Sequence, residues 1–112
     1  MYYNVSMQEP GTERTTRFEF VAELWEHEGP APWCFVSLPE ADADDIEQFF
    51  GHRAAGFGSI RVDVRVGATR WQTSLFPDSK RATYVLPVKK PVRLAEGLEI
   101  GAPVQIELTI LE

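Results

Sequence analysis

Three arginines stand on two neighbouring stretches of the chain at a spacing that suits anion binding. Arg61 and Arg65 alternate with valines in SIRVDVRVG, and Arg70 follows shortly after in ATRWQ. A guanidinium group presents a planar fork of donors that fits phosphate or carboxylate, so this set predicts a site for a small anion or an acidic partner segment. The alternative is a solvated strand face on which Asp63 balances the arginines diagonally.

A second basic cluster, Lys89, Lys90 and Arg93 in VKKPVR, is a second candidate contact surface. Added to the three arginines together with Lys80 and Arg81, it opens a nucleic-acid-binding interpretation. Seventeen acidic residues oppose eleven basic ones, for a net charge of −6, and such a field disfavours nucleic acid and anionic membrane as partners. Residues 51–112 nevertheless carry nine bases against six acids, so a local basic patch is compatible with the overall sign.

Patterns typical of catalysis or metal binding are absent from the sequence. Cys34 lies in the apolar run WCFV, where a thiol usually behaves as an inert small hydrophobe. The segment ELWEHE, residues 23–28, matches no metal-ligand spacing. Residues 56–59, GFGS, resemble a phosphate loop but lead into a strand rather than a helix, which favours a tight turn. We therefore expect no catalytic residue, no metal and no cofactor.

The three tryptophans, Trp25, Trp33 and Trp71, allow two interpretations. Large aromatic side chains are most often core residues. They also line ligand clefts, and here such a cleft would lie at the mouth of a barrel. The second interpretation keeps a small-molecule enzyme open as the rival to a non-catalytic binding module.

A hairpin positions the first arginine set. Residues 60–66 alternate apolar and polar, residues 69–76 continue the pattern, and Gly67-Ala68 fits a two-residue turn with glycine at the position that needs a positive φ. Such a turn opposes three pairs of outward side chains: Arg65 and Arg70, Asp63 and Gln72, Arg61 and Ser74.

The remaining sequence predicts four further strands, at 18–25, 33–38, 82–88 and 104–110, with a turn at Pro77-Asp78-Ser79. A short helix with Asp42 as its N-cap ends at Gly51, which suits a left-handed stop, and another over 92–96 ends at Gly97. The face of strand 33–38 is not fixed, because nearly all of it is apolar. The expected interior residues are Phe18, Phe20, Leu24, Trp33, Phe35, Val62, Val64, Trp71, Leu75, Leu86, Ile106 and Leu108.

Both halves of the chain read strand, strand, helix, strand. We therefore predict a mainly β fold, a closed six-stranded β-barrel of the double-split type with a pseudo-two-fold internal repeat and two short helices. Closure removes the edges that an open sheet would expose. Residues 1–16 are expected to form a flexible tail, and residues 17–112 a single barrel domain.

Four stretches of this pattern resemble a bacterial and archaeal family described only as a domain of unknown function, DUF1905. They are FEFVAELWEHEGPAPWCFVSLP, GFGSIRVDVRVG, WQTSLFPDSKRATYVLPVKKPVR and EGLEIGAPVQIEL, which together span residues 18–110. The resemblance implies a small six-stranded barrel, related in fold to the swapped-hairpin transition-state regulators and antitoxins. It implies no catalytic residues. Because several swapped-hairpin proteins bind DNA, it leaves a nucleic-acid-binding regulator as a further alternative.

We expect a monomeric binding or protein-interaction module whose ligand is a protein partner or a small anion. The N-terminal residues lack a basic start followed by an apolar segment, and the chain has one cysteine, so we expect a cytoplasmic protein without a signal peptide. The candidate contact residues are Arg61, Arg65, Arg70, Lys89, Lys90 and Arg93.

Overall fold

A computed structural model of the chain describes residues 16–30, 32–51 and 58–111. The elements follow in the order β1 (Arg17–His27), β2 (Trp33–Ser37), α1 (Glu40–Phe50), β3 (Ile60–Val66), β4 (Thr69–Asp78), β5 (Thr83–Pro87), α2 (Lys90–Glu96) and β6 (Pro103–Ile110). Most of the predicted tail, and the loop that includes Gly56 and Phe57, lie outside the described residues. That the two halves superpose remains a prediction.

The strands close into an antiparallel barrel in the order β1-β2-β5-β4-β3-β6, which confirms the predicted architecture. Its closing pair joins the two ends of the chain, with Phe20 of β1 opposite Ile106 of β6. Alternate side chains of each strand point inward because successive residues of a strand face opposite sides of a sheet. Val62, Val64, Leu86, Ile106 and Leu108 are fully buried in the resulting core.

The β3–β4 hairpin has the predicted register, from Val66 opposite Thr69 to Ile60 opposite Leu75. Gly67 takes a φ of 58°, a left-handed value that glycine adopts without the steric clash of a Cβ atom. The outward pairs are also confirmed, with Arg65 opposite Arg70 and Arg61 opposite Ser74. Alternation together with a two-residue turn leaves a single register that buries the valines.

The interior assignment of Trp33 and Phe35 is wrong. Strand β2 buries Cys34 and Val36 instead, which leaves Trp33 56% exposed and Phe35 half-buried on the outer face. Trp71 does point inward but is only partly buried against the core. Apolar residues occur on both faces of the strand WCFVS, so its sequence does not show which face is buried. The pairing with β1 and β5 determines which side chains point inward.

The end of helix α1 at Gly51 is confirmed, but its predicted N-cap and the predicted conformation of Gly51 are wrong. The helix starts after Pro39, whose carbonyl accepts a hydrogen bond from the Ala43 amide at 3.0 Å, so Asp42 lies in the first turn rather than at the N-cap. Burial, with the charge of Asp45, raises the pKa of Asp42. Gly51 keeps a right-handed helical φ of −58°, not the left-handed stop, and its amide continues the ladder to Glu47.

Helix α2 ends before Gly97, which confirms the predicted end, and Gly97 takes a left-handed φ of 62°. The predicted turn at Pro77-Asp78-Ser79 is displaced, because β4 continues to Asp78 and the turn occupies residues 79–82. The Asp78 carboxylate accepts hydrogen bonds from the Lys80 and Arg81 amides at 3.1 and 3.3 Å, and these bonds hold a turn that begins two residues later than predicted.

Candidate functional site

The first candidate surface, Arg61, Arg65 and Arg70, lies on the outer side of the β3–β4 hairpin and is called the arginine face below. The guanidinium of Arg70 donates two hydrogen bonds to the Asp63 carboxylate, from Nε at 2.9 Å and from Nη2 at 2.5 Å to Oδ2. The hydrogen bond from Arg70 lowers the pKa of Asp63. Arg61 donates to Ser74 Oγ at 3.3 Å, and Arg65 to the Gly67 carbonyl at 3.4 Å. The diagonal balance by Asp63 is therefore present in the structure.

The neighbouring strands add a second carboxylate to the arginine face. Glu107 of β6 lies opposite Arg65 in the β3–β6 ladder and accepts a hydrogen bond from Arg17 Nε at 3.0 Å. A shallow groove of about 230 Å³ runs between these side chains, lined by Arg17, Asp63, Val64, Arg65, Arg70, Glu107 and Thr109. An anion in this groove would meet two carboxylates as well as three guanidiniums.

The second candidate cluster lies where β5 leads into α2. Phe35 of β2 pairs with Pro87 of β5, and the Val88 amide extends that ladder by donating to the Cys34 carbonyl at 2.9 Å. This bond fixes the start of α2 beside the first residues of β2. Proline in the first turn then favours the helix, because its fixed φ suits a position whose amide has no helical partner.

A groove of about 290 Å³ opens at this junction and is called the basic groove below. It is lined by Pro32, Trp33, Cys34, Pro87, Val88, Lys89, Lys90 and Arg93. Arg93 Nη1 donates to the Val88 carbonyl at 2.5 Å, which holds the guanidinium in place. The structure thus brings the three predicted basic residues together, and none of the lining residues is acidic.

An aromatic row beside the basic groove was not predicted from the sequence. The Trp33 ring lies nearly parallel to that of Phe35, 13° apart with centroids separated by 6.2 Å, and Phe35 packs against Trp25 at 5.2 Å. Trp25 Nε1 donates to Ser37 Oγ at 3.0 Å, and the Arg81 guanidinium lies 4.1 Å above the Trp25 ring. The inward side chains of β1 belong to even-numbered residues, so the odd-numbered Trp25 faces outward. This alternation in the sequence could have indicated an aromatic cluster on the outer face.

The proposed cleft of three tryptophans does not form. Trp25 and Trp33 lie on the outer face, whereas Trp71 packs against the core. The Trp71 Nε1 atom is buried and has no hydrogen-bond partner within the described residues. A ligand at the basic groove would therefore contact one of the three indoles, that of Trp33.

The remaining candidates lie apart from the basic groove or outside the described residues. His27 and the glutamates around it are exposed, and no group of three or more His, Cys, Asp or Glu side chains in the described ranges could hold a metal ion. Cys34 is buried, as expected of a small hydrophobe. Residues 52–57, which include His52 and the first two residues of the GFGS segment, are not among the described residues.

A third cavity, of about 220 Å³, lies between α1 and the β4–β5 turn. Asp44, Glu47 and Asp78 line it, so its charge is opposite to that of the basic groove. Tyr84 donates to Glu47 Oε1 at 2.7 Å, and burial, together with this bond, raises the pKa of the phenol. Partial burial raises the pKa of Asp78, but the hydrogen bonds from Arg81 outweigh it and the pKa is lowered. These contacts fasten α1 and the turn to the barrel.

A family model described as a domain of unknown function, DUF1905, matches residues 20–108, from the first strand of the barrel to the last. No curated protein matched the chain. Among the described residues, no helix has the length and apolar character needed to cross a membrane.

Proposed function

We propose that this chain, which belongs to the DUF1905 family, is a non-catalytic binding module that holds an anionic ligand in the basic groove. The module acts as a monomer, formed by the single barrel domain of residues 17–112. Its non-catalytic character rests on the sequence, which contains no recognised arrangement of nucleophile, base and orienting group.

One observation carries this proposal. Lys89, Lys90 and Arg93 line the same groove, and no carboxylate lines it with them. In a chain of net charge −6, such a concentration of positive charge is local, so it favours an anion at this position. The partly apolar walls, Pro32, Trp33 and Pro87, lower the surrounding polarity and strengthen the attraction compared with open water.

The arginine face supports the same function less well. Its guanidiniums already have the Asp63 and Glu107 carboxylates beside them, and an incoming anion would have to compete with the carboxylate that Arg70 binds at 2.5 Å. Arg61 and Arg65 remain candidates for a second, weaker contact.

Inorganic phosphate is a suitable first probe, because a ligand that binds the folded state raises the unfolding temperature by mass action. We expect phosphate to raise the Tm of the wild type relative to chloride at equal ionic strength. The double variant Lys89→Gln/Lys90→Gln should lose most of this rise. Phosphate also stabilises proteins through exclusion from their surface, and that general effect should persist in the double variant.

The matched control is Arg61→Gln/Arg65→Gln, which removes the same number of charges from the arginine face. It should keep most of the phosphate response of the wild type, because the contact at the arginine face is the weaker of the two. Equal responses in the wild type and in both double variants would show that neither cluster binds the anion, and the proposed function would be wrong.

A further inference from the structure

Trp33 has the position expected of a ligand-binding residue rather than of a core residue. It is the largest apolar side chain of β2, yet it is 56% exposed, while the smaller Cys34 and Val36 are buried. An exposed indole contributes little to the core, because it has not been removed from water. Its ring instead forms part of the wall of the basic groove.

Two neighbouring aromatic side chains, Phe35 and Trp25, support the indole of Trp33. Phe35 lies nearly parallel to the indole of Trp33, and Trp25 of the neighbouring strand packs against Phe35. Trp25 is itself held by its hydrogen bond to Ser37 and by the guanidinium of Arg81. The indole is therefore supported on the Phe35 side, and its remaining surface is available to a second flat ring.

The dimensions and charge of the groove restrict what such a ring belongs to. A volume of about 290 Å³ lies at the lower end of the roughly 300–1,000 Å³ typical of small-molecule pockets. Three cations and no carboxylate line it, so a neutral aromatic compound would leave the charges unused. The chemistry on the two sides of the groove is complementary to one molecule that carries both a planar ring and an anionic group.

We propose that the basic groove binds a small organic anion with a planar aromatic ring, such as an aryl phosphate. The ring stacks on Trp33 while Lys89, Lys90 and Arg93 bind the anionic group. This inference rests on the proposed function and adds the class of the ligand to it.

Three phosphate monoesters separate the contribution of the ring from that of the charge. Phenyl phosphate has the ring, cyclohexyl phosphate has a ring of similar size that is not planar, and methyl phosphate has neither. Dissociation constants would be measured by isothermal titration calorimetry at one pH and ionic strength. We expect phenyl phosphate to bind about tenfold more tightly than methyl phosphate, with cyclohexyl phosphate between them, because stacking on an aromatic side chain adds to the shared charge contact.

The variant Trp33→Leu should reduce the advantage of phenyl over methyl phosphate to less than about twofold and leave the affinity for methyl phosphate unchanged. Phe76→Leu is the matched control, because Phe76 is also an exposed aromatic residue but does not line the groove. It should retain the full difference. An unchanged Tm would show that both variants remain folded.

The outcomes separate the two proposals. Equal binding of all three esters in the wild type would overturn the aromatic ligand class and leave an anion-binding module. A preference for phenyl phosphate that survives in Trp33→Leu would also overturn it, because the ring would then bind elsewhere. If none of the three esters bound, the proposed function itself would fail.

Discussion

The arginine face and the basic groove each hold three basic residues from the candidate set, but they differ in what surrounds those residues. On the arginine face, Asp63 and Glu107 come from the same strands or adjacent ones and neutralise part of the charge. In the basic groove, prolines, Val88 and an exposed indole stand where those carboxylates would be. The two surfaces hold the same number of cations from the candidate set. We therefore expect the groups that surround those cations, and not their number, to decide which surface binds an anion.

The largest expected effect comes from truncating a side chain in the core of the barrel. Leu86 of β5 is fully buried in the barrel interior, so Leu86→Ala should lower the free energy of unfolding by about 3 kcal/mol, through lost burial and the cavity left behind. Urea denaturation measures this change. Leu94→Ala on α2, where the leucine is exposed, should change it by less than about 0.5 kcal/mol. Similar losses in the two variants would contradict the assigned core.

The next effect comes from making the basic groove resemble the arginine face. Lys90→Glu replaces one of the three cations with a carboxylate beside Lys89 and Arg93, so we expect the affinity for inorganic phosphate to fall by about tenfold or more through pairing within the groove and direct repulsion. Calorimetric titration with phosphate measures this change. Lys80→Glu, which makes the same charge change on the β4–β5 turn, should have a much smaller effect. Equal losses would indicate that net charge alone governs binding.

The reverse exchange should make the arginine face resemble the basic groove. Asp63→Asn removes the carboxylate to which Arg70 donates hydrogen bonds and keeps a side chain of the same shape. We expect phosphate binding at this face to increase by about threefold, because Arg70 then offers its donors to the anion. Chemical-shift changes near Arg65 and Arg70 during a phosphate titration would report the gain. No change at these positions would mean that Asp63 does not govern the difference between the two surfaces.

The smallest effect concerns the pH dependence of the Asp63–Arg70 pair. Because the hydrogen bond from Arg70 lowers the pKa of Asp63 in the folded protein, the pair stabilises the fold above the unfolded pKa of about 3.9. That contribution is lost as the pH falls through the lower folded value. We expect Arg70→Gln to be slightly less stable than the wild type near neutral pH and to approach it in acid. The Arg70 side chain is largely exposed, so the difference should shrink further in high salt.

The β3–β4 hairpin and the barrel could be predicted from the sequence for a specific physical reason. Strict alternation over residues 60–66 and a two-residue turn at Gly67 fix the register, and closure follows from the need to cover sheet edges. The outward direction of Trp33 and Phe35 could not be predicted in the same way, because both phases of WCFVS are apolar and only its partners β1 and β5 select the buried one.

The basic residues of the groove could also be found from the sequence, but the position of Trp33 beside them could not. Lys89, Lys90 and Arg93 follow one another closely in VKKPVR. Trp33 belongs to another strand and reaches them only because the Val88 amide pairs with the Cys34 carbonyl. Such a long-range contact depends on the register of β2 against β5, which no local pattern in a short apolar strand specifies.

Titration of the isotope-labelled chain with inorganic phosphate, followed residue by residue in proton–nitrogen spectra, tests the central claim most directly. We predict that the largest shift changes occur at the indole N–H of Trp33 and at the amides of Val88, Lys89 and Lys90, which line the basic groove. Changes centred on Arg61, Arg65 and Arg70, or no changes up to saturating phosphate, would contradict the assignment of the basic groove as the binding site.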